Sequence, residues 1–214
     1  MTLQLGELAP DFEARTTDGL IRFHEWAGES WVVLFSHPRD FTPVCTTELG
    51  EAARLKPEFD ARNVKLIGLS IDPPYSHRNW AADIKDVSGT ALNFPLIGDE
   101  DRRIAQLYGM IHPAHDEVYT VRTVFVIDPD RKIRLTITYP QTTGRNFEEI
   151  LRVIESLQRT DDYSISTPVN WKPGEDVIIL PSVSDESAST LFKSGWREIK
   201  PYLRLTADPR GADK

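Results

Sequence analysis

The sequence predicts an α/β sandwich built around a mixed central β-sheet flanked by helices, with a small α+β extension at the C-terminus. Three observations carry that reading. Largely apolar runs at residues 31–35, 64–71 and 123–127 have the length of strands and lack alternation, as strands buried on both faces do. Helical patterns lie between them, and residues 132–139 alternate apolar with polar, as a half-solvated hairpin strand does. Beyond residue 160 the composition turns polar and rich in turn formers, which separates a main domain at 1–160 from an extension at 161–214.

Trp31-Val32-Val33-Leu34-Phe35 is the first strand. Thr42 then suits a helix N-cap, and Pro43 the first helical position, where no N–H is needed. That helix runs through Leu49, Ala52, Ala53, Leu55 and Phe59, with a kink expected at Pro57. The second strand is closed by Asp72-Pro73-Pro74 and followed by a helix over 76–86. A short helix is expected over 99–108, ended by Gly109. The third strand turns at Asp128-Pro129-Asp130-Arg131 into the alternating one. Asn146 caps a helix whose apolar face carries Phe147, Ile150, Leu151, Ile154 and Leu157. The extension offers strands at 177–180 and 202–205 and a helix at 186–192. About 50 residues bury too little apolar surface to stand alone, so the extension is expected to pack on the main domain or on a second subunit.

Composition excludes several function classes. The chain of 214 residues carries 25 Lys and Arg against 33 Asp and Glu, a net charge of −8, which argues against general nucleic-acid binding. No apolar stretch approaches the ~20 residues of a transmembrane helix. The first residues, Met1-Thr2-Leu3-Gln4-Leu5-Gly6-Glu7, lack the basic and apolar regions of a secretory signal. One cysteine allows no intrachain disulfide, so the expected location is the reducing cytoplasm. The histidines at 24, 37, 77, 112 and 115 are scattered, and neither a metal nor a cofactor is expected.

That single cysteine is the most chemical residue in the chain. Cys45 falls in the first turn of the helix that starts at Pro43, among backbone N–H groups without helical partners and at the positive end of the dipole. His37 and Arg39 stand just upstream. A thiol at a helix N-terminus beside cations ionises more readily than one in an apolar core, and the thiolate is the nucleophile.

Pro38-x-x-x-Thr42-x-x-Cys45 resembles the active-site signature of the peroxiredoxins, and residues 35–48 resemble their one-cysteine subfamily. Other blocks extend the likeness over nearly the whole chain: Ala9-Pro10-Asp11-Phe12, Arg122 ahead of its strand, and Tyr139-Pro140-x-Thr142-Thr143-Gly144-Arg145-Asn146. Thr167-Pro168-Val169-Asn170-Trp171 and Lys200-Pro201-Tyr202-Leu203-Arg204 resemble the subfamily's C-terminal extension. The resemblance implies a thioredoxin-like fold and reduction of hydrogen peroxide and alkyl or lipid hydroperoxides. It implies Cys45 as the attacking thiolate, Thr42 bonding the peroxide through its hydroxyl, Pro38 shaping the loop and Arg122 holding thiolate and peroxide. Arg145 is expected to pair with Glu48, and His37 to support the site. The chain holds no second cysteine to resolve a sulfenic acid, so an external thiol such as glutathione or a small redox protein must reduce it. Until then the sulfur is open to further oxidation. A homodimer is also implied, with Trp171, Trp196 and Tyr202 of the extension over the partner's active site.

Two other functions have some footing in the sequence. Gly28-Glu29-Ser30-Trp31-Val32 lies where some relatives carry a lipase-like Gly-x-Ser-x-Gly, with His24 and Asp130 in the places of its partners. Val32 replaces the last glycine, and a strained nucleophile elbow needs small residues there. A redox sensor or holdase would be oxidised once without turnover. A thioredoxin-type dithiol oxidoreductase is disfavoured, since there is no Cys-x-x-Cys.

Overall fold

In the computed structural model, which describes residues 3–211, the chain forms two compact units, Met1–Phe147 and Glu148–Lys214. The first holds β1 (Glu13–Thr16), β2 (Gly19–Arg22), α1 (Phe23–Ala27), β3 (Trp31–Ser36), α2 (Pro43–Asp60), β4 (Val64–Ser70) and α3 (Pro74–Ser88). It continues with β5 (Leu96–Gly98), α4 (Arg103–Leu107), β6 (Arg122–Ile127) and β7 (Ile133–Tyr139). The seven strands make one mixed sheet in the order β2-β1-β5-β4-β3-β6-β7. β3, β4 and β5 run parallel, and the remaining pairings are antiparallel. β3 and β6 are buried along their entire length, as their unbroken apolar runs require.

Antiparallel pairing of β3 with β6, and of β6 with β7, sets three chain segments at one end of the sheet. The C-terminal end of β3 delivers the loop that leads to Cys45. The N-terminal end of β6 begins with Arg122, in register with Tyr139 at the C-terminal end of β7. Cysteine and arginine, far apart in the chain, thus meet at the same sheet end.

Local chemistry explains where elements begin and end. Pro57 lies inside α2, which continues to Asp60. A proline there cannot bond to the carbonyl of Ala53, and the Asn93 side-chain amide donates to that carbonyl instead, at 3.0 Å. Gly50 lets α2 and α3 meet, because a Cβ there would lie 2.3 Å from the Cβ of Ser88. The helix expected over 99–108 is shorter: Asp99 precedes α4, and its carboxylate accepts the N–H groups of Ile104 and Ala105 at 3.0 and 2.7 Å. The Ala9–Phe12 block joins the core, where the Phe12 and Phe23 rings stack at 4.6 Å and the Tyr108 hydroxyl donates to the Pro10 carbonyl at 2.6 Å.

The second unit contains most of α5 (Phe147–Asp162), then β8 (Ile165–Ser166), β9 (Val177–Ile179), α6 (Asp185–Leu191), β10 (Arg197–Lys200) and β11 (Leu203–Thr206). Its strands form a sheet of their own, β10-β11-β9-β8. The division between units falls after Phe147, the first residue of α5, whereas the change in composition lies near the end of that helix. Trp171 corrects an expectation. It is fully buried in its own unit with Ile165, Val177, Ile179, Ala188 and Phe192, and the Arg159 guanidinium sits 5.1 Å over its ring. A side chain that anchors this core is not free to cover a partner's site. Trp196 packs against the same cluster, and Tyr202 is exposed.

Candidate active site

The site is built outward from the first turn of α2. Thr42 has the extended backbone of an N-cap, yet its hydroxyl makes no cap bond. It donates back to the Arg39 carbonyl at 2.8 Å, so Thr42 holds the expected N-cap position, ahead of Pro43, without a side-chain cap bond. The first bond of the helical ladder is Thr46 N–H to the Thr42 carbonyl, so the amides of Val44 and Cys45 take no carbonyl of their own helix. Phe41, just before, adopts φ +53°, a left-handed conformation uncommon for a bulky residue. Pro38 is buried in the same loop.

Cys45 is completely buried, and Arg122 Nη1 donates to its Sγ at 3.3 Å. The same Nη1 donates to Glu48 Oε2 at 2.7 Å. The rest of the Arg122 fork is held by the Gln141 carbonyl, with Nε at 3.0 Å and Nη2 at 2.6 Å. Glu48 lies one turn after Cys45 and is shared by both arginines. Arg145 grips it with Nε to Oε1 at 2.9 Å and Nη2 to Oε2 at 2.7 Å, and its backbone N–H adds a third bond at 2.8 Å. Arg145 Nη1 donates to the Ser36 carbonyl at 2.8 Å, and its guanidinium lies 4.9 Å from the centre of the Phe35 ring. Burial opposes ionisation of Glu48, but the Arg145 guanidinium, aided by Arg122, holds its carboxyl below the ordinary range.

A second buried cluster adjoins the loop. His37 Nε2 lies 2.9 Å from Asp40 Oδ1, and His77 Nδ1 lies 3.0 and 2.8 Å from the two Asp40 oxygens. Burial pushes the His37 imidazole below the usual histidine range, against the pull of Asp40. Burial works the other way on Asp40, yet the bonds from His37 and His77 hold its carboxyl well below the usual carboxylate range. Their ligand-type atoms lie within 4.8 Å of one another, the one such group among the described residues. Hydrogen bonds join the three side chains into one polar network, which leaves the buried His37 Nδ1 without a hydrogen-bond partner. The sequence put its histidines forty residues apart, and only the packing of α3 against the loop brings them together. Asp40, His77 and Gln141 are the residues that sequence reasoning missed. Asp40 lies inside the signature loop, but a lone histidine on a helix and a backbone carbonyl leave no pattern to read.

Ser30, His24 and Asp130 are not hydrogen-bonded to one another. The Ser30 hydroxyl donates to Asn63 Oδ1 at 2.8 Å, His24 Nε2 lies 2.8 Å from the Ala9 carbonyl, and Asp130 is exposed. Serine and histidine are each engaged elsewhere.

Comparison with known proteins agrees with this geometry. Residues 5–136 match the AhpC/TSA family and residues 156–195 the C-terminal domain of 1-Cys peroxiredoxin. The chain is 54% identical to peroxiredoxin-6 of Rattus norvegicus over 97% of its length and 98% of the relative's. It is 49% identical to the 1-Cys peroxiredoxin of Dictyostelium discoideum, over 97% and 86%. The solved structure of a peroxiredoxin 6 from Arenicola marina superposes with a TM-score of 0.90 at 48% identity, covering 97% of this chain and 99% of that one. A yeast mitochondrial 1-Cys peroxiredoxin gives 0.90 at 52% identity, covering 96% and 100%. The fold is therefore thioredoxin-like, as the resemblance implied, and the chain belongs to the AhpC/TSA family as a one-cysteine peroxiredoxin, a thiol peroxidase.

Proposed function

We propose that Cys45 is the peroxidatic residue, with Arg122, Thr42 and the first turn of α2 as its peroxide-binding surroundings. One observation carries this: Arg122 contacts both Sγ and Glu48 in a buried cluster. Two arginines and one carboxylate leave a single positive charge there, and a Cys45 thiolate neutralises it. That charge lies where negative charge develops as the sulfur reacts.

In the reaction, the thiolate attacks one peroxide oxygen and an S–O bond forms as the O–O bond breaks. The bonding pair leaves on the other oxygen as hydroxide or alkoxide, which takes a proton to give water or alcohol. Sulfur is oxidised to the sulfenic acid, and the peroxide is reduced. Arg122 Nη1, which contacts the sulfur, and the Cys45 amide supply donors where negative charge develops. Thr42 has its proton committed to Arg39, so its oxygen accepts from the peroxide O–H. Pro38 screens the sulfur from bulk water. His37 and the Arg145–Glu48 pair support the loop and the arginine.

Reduction then comes from outside the chain, which has one cysteine. The solved yeast mitochondrial relative is described with glutathione and thioredoxin systems, which supports a reductant of that kind here. The lone cysteine supports a reducing compartment, the cytoplasm. To test the reading, reduced protein is mixed with one equivalent of hydrogen peroxide and trapped with dimedone. One adduct per chain on Cys45, and continued peroxide consumption when glutathione or thioredoxin is supplied, are expected. Peroxide consumption by protein whose Cys45 has been alkylated would sink it.

We also propose a homodimer. β7 ends the seven-stranded sheet; its first residue, Ile133, exchanges backbone bonds with Gly6 and Glu7, and among the described residues the rest of its outer edge takes no backbone partner, so it pairs readily with a second copy. Sedimentation equilibrium is expected to give twice the chain mass; a single-chain mass at micromolar concentration refutes it.

A further inference from the structure

We propose that His77 is a positioning residue of the peroxidase site, acting through Asp40 on His37 and on the loop that delivers Thr42 and Cys45. The inference rests on the Cys45 reading above. His77 stands on α3 and is completely buried. Both of its ring nitrogens face oxygens: Nδ1 the Asp40 carboxylate, and Nε2 the Ile97 carbonyl at 3.1 Å. The neighbouring Ser76 hydroxyl also donates to Asp40 Oδ2, at 2.8 Å. With His37 on Oδ1, three side chains converge on one carboxylate. The Asp40 backbone is fixed as well, its N–H donating to Asp72 Oδ2 at 2.9 Å, an oxygen that also accepts from the Ser70 hydroxyl at 2.8 Å. The corner between β4 and α3 therefore holds residue 40 by both side chain and main chain.

That grip matters because Asp40 is joined directly to Phe41. Phe41 is left-handed, and a bulky residue stays in such a conformation only where its surroundings over-determine it. Asp40 supplies the constraint on one side, and the Thr42 bond to Arg39 supplies it on the other. Together they aim the Thr42 oxygen and the first-turn amides of α2. Losing the His77 donor releases one side of that brace. The arginine that contacts the sulfur is anchored separately by Gln141 and Glu48, so it stays in place. The expected consequence is slower reaction with peroxide, with the sulfur's reactivity toward other electrophiles kept.

Two substitutions separate this from a simple structural tie. In His77→Asn the amide nitrogen takes the place of Nδ1 and keeps the donor to Asp40. In His77→Gln it takes the place of Nε2 and keeps the donor to Ile97. Peroxide oxidation of Cys45 is followed by stopped-flow tryptophan fluorescence, and alkylation by iodoacetamide is measured in parallel. His77→Gln is expected to slow peroxide oxidation by about tenfold or more with alkylation within about threefold of wild type; His77→Asn stays within about threefold in both. Equal peroxide rates for the two variants, a slower His77→Asn, or alkylation falling in step with oxidation would overturn the proposal. Should His77→Gln fail to fold, Ser76→Ala removes one donor to the same carboxylate, and an unchanged peroxide rate there overturns it too. Wild type that is itself inert to peroxide would overturn the Cys45 reading, and this one with it.

Discussion

Glu48→Gln is expected to lower the melting temperature by roughly 10 °C. The carboxylate neutralises two guanidinium groups whose side chains, like its own, are almost completely buried. Removing one member of such a group leaves charge buried without a partner, which costs about 3–5 kcal/mol. For a unit of this size each kcal/mol moves the midpoint by about 2–4 °C. The amide keeps an oxygen for one arginine and turns an NH2 group toward the other, so shape is retained while the electrostatics fail. The pH dependence has a definite sign. Arg145 and Arg122 hold the folded-state Glu48 below its unfolded value against the effect of burial, so its contribution is complete above the unfolded value. It is lost as pH falls through the folded value. Wild type should therefore lose stability in acid over that window, and the difference between wild type and Glu48→Gln should shrink there. Calorimetric scans from neutral pH into acid check both statements. An unchanged midpoint at neutral pH would mean that the arginines find other acceptors.

How much of this was legible in the sequence depends on how local each signal is. β3, β4 and β6 are buried on both faces, so apolarity alone marks them, within a residue or two of their ends. Among the missed strands, β5 has three residues and is too short to show a period. β10 is exposed at every position, so burial imposes no pattern on it. β1 buries Ala14 and Thr16, neither of which reads as a core residue on a half-solvated strand. The site divides the same way. Cys45, Thr42 and Glu48 lie within two turns of each other, and a helix start is readable from Thr42 and Pro43. Arg122 and Arg145 reach the sulfur and Glu48 only through sheet topology, so resemblance to a family, and not spacing, pointed to them. Asp40 and His77 meet across 37 positions, and nothing local announces it.

Arg122→Met is expected to separate catalysis from stability, which the two arginines share unequally. Arg145 is tied to Glu48 by three bonds and to the carbonyl of Ser36, and sits over Phe35; it is framework. Arg122 touches the sulfur. Without Arg122, Glu48 still has Arg145 for both of its oxygens, so no buried charge of the pair is stranded. What is lost is the cation beside the sulfur and its Nη1 donor to Sγ. Deleting one such preorganised donor typically costs about 100- to 1,000-fold in rate, and the peroxide rate constant should fall by at least that much. The melting temperature should fall by only a few degrees, about 1 kcal/mol for the bonds lost to the Gln141 carbonyl. Arg122→Lys keeps the charge but not the planar fork, and one ammonium does not reproduce the grip on sulfur, Glu48 and Gln141 together, so it should fall between the two. Stopped-flow oxidation of the three proteins, with scanning calorimetry on the same samples, decides. A peroxide rate for Arg122→Met within about threefold of wild type would show that the charge balance at Cys45 does not govern the reaction. A collapse in stability matching that of Glu48→Gln would show instead that Arg122 is framework as well.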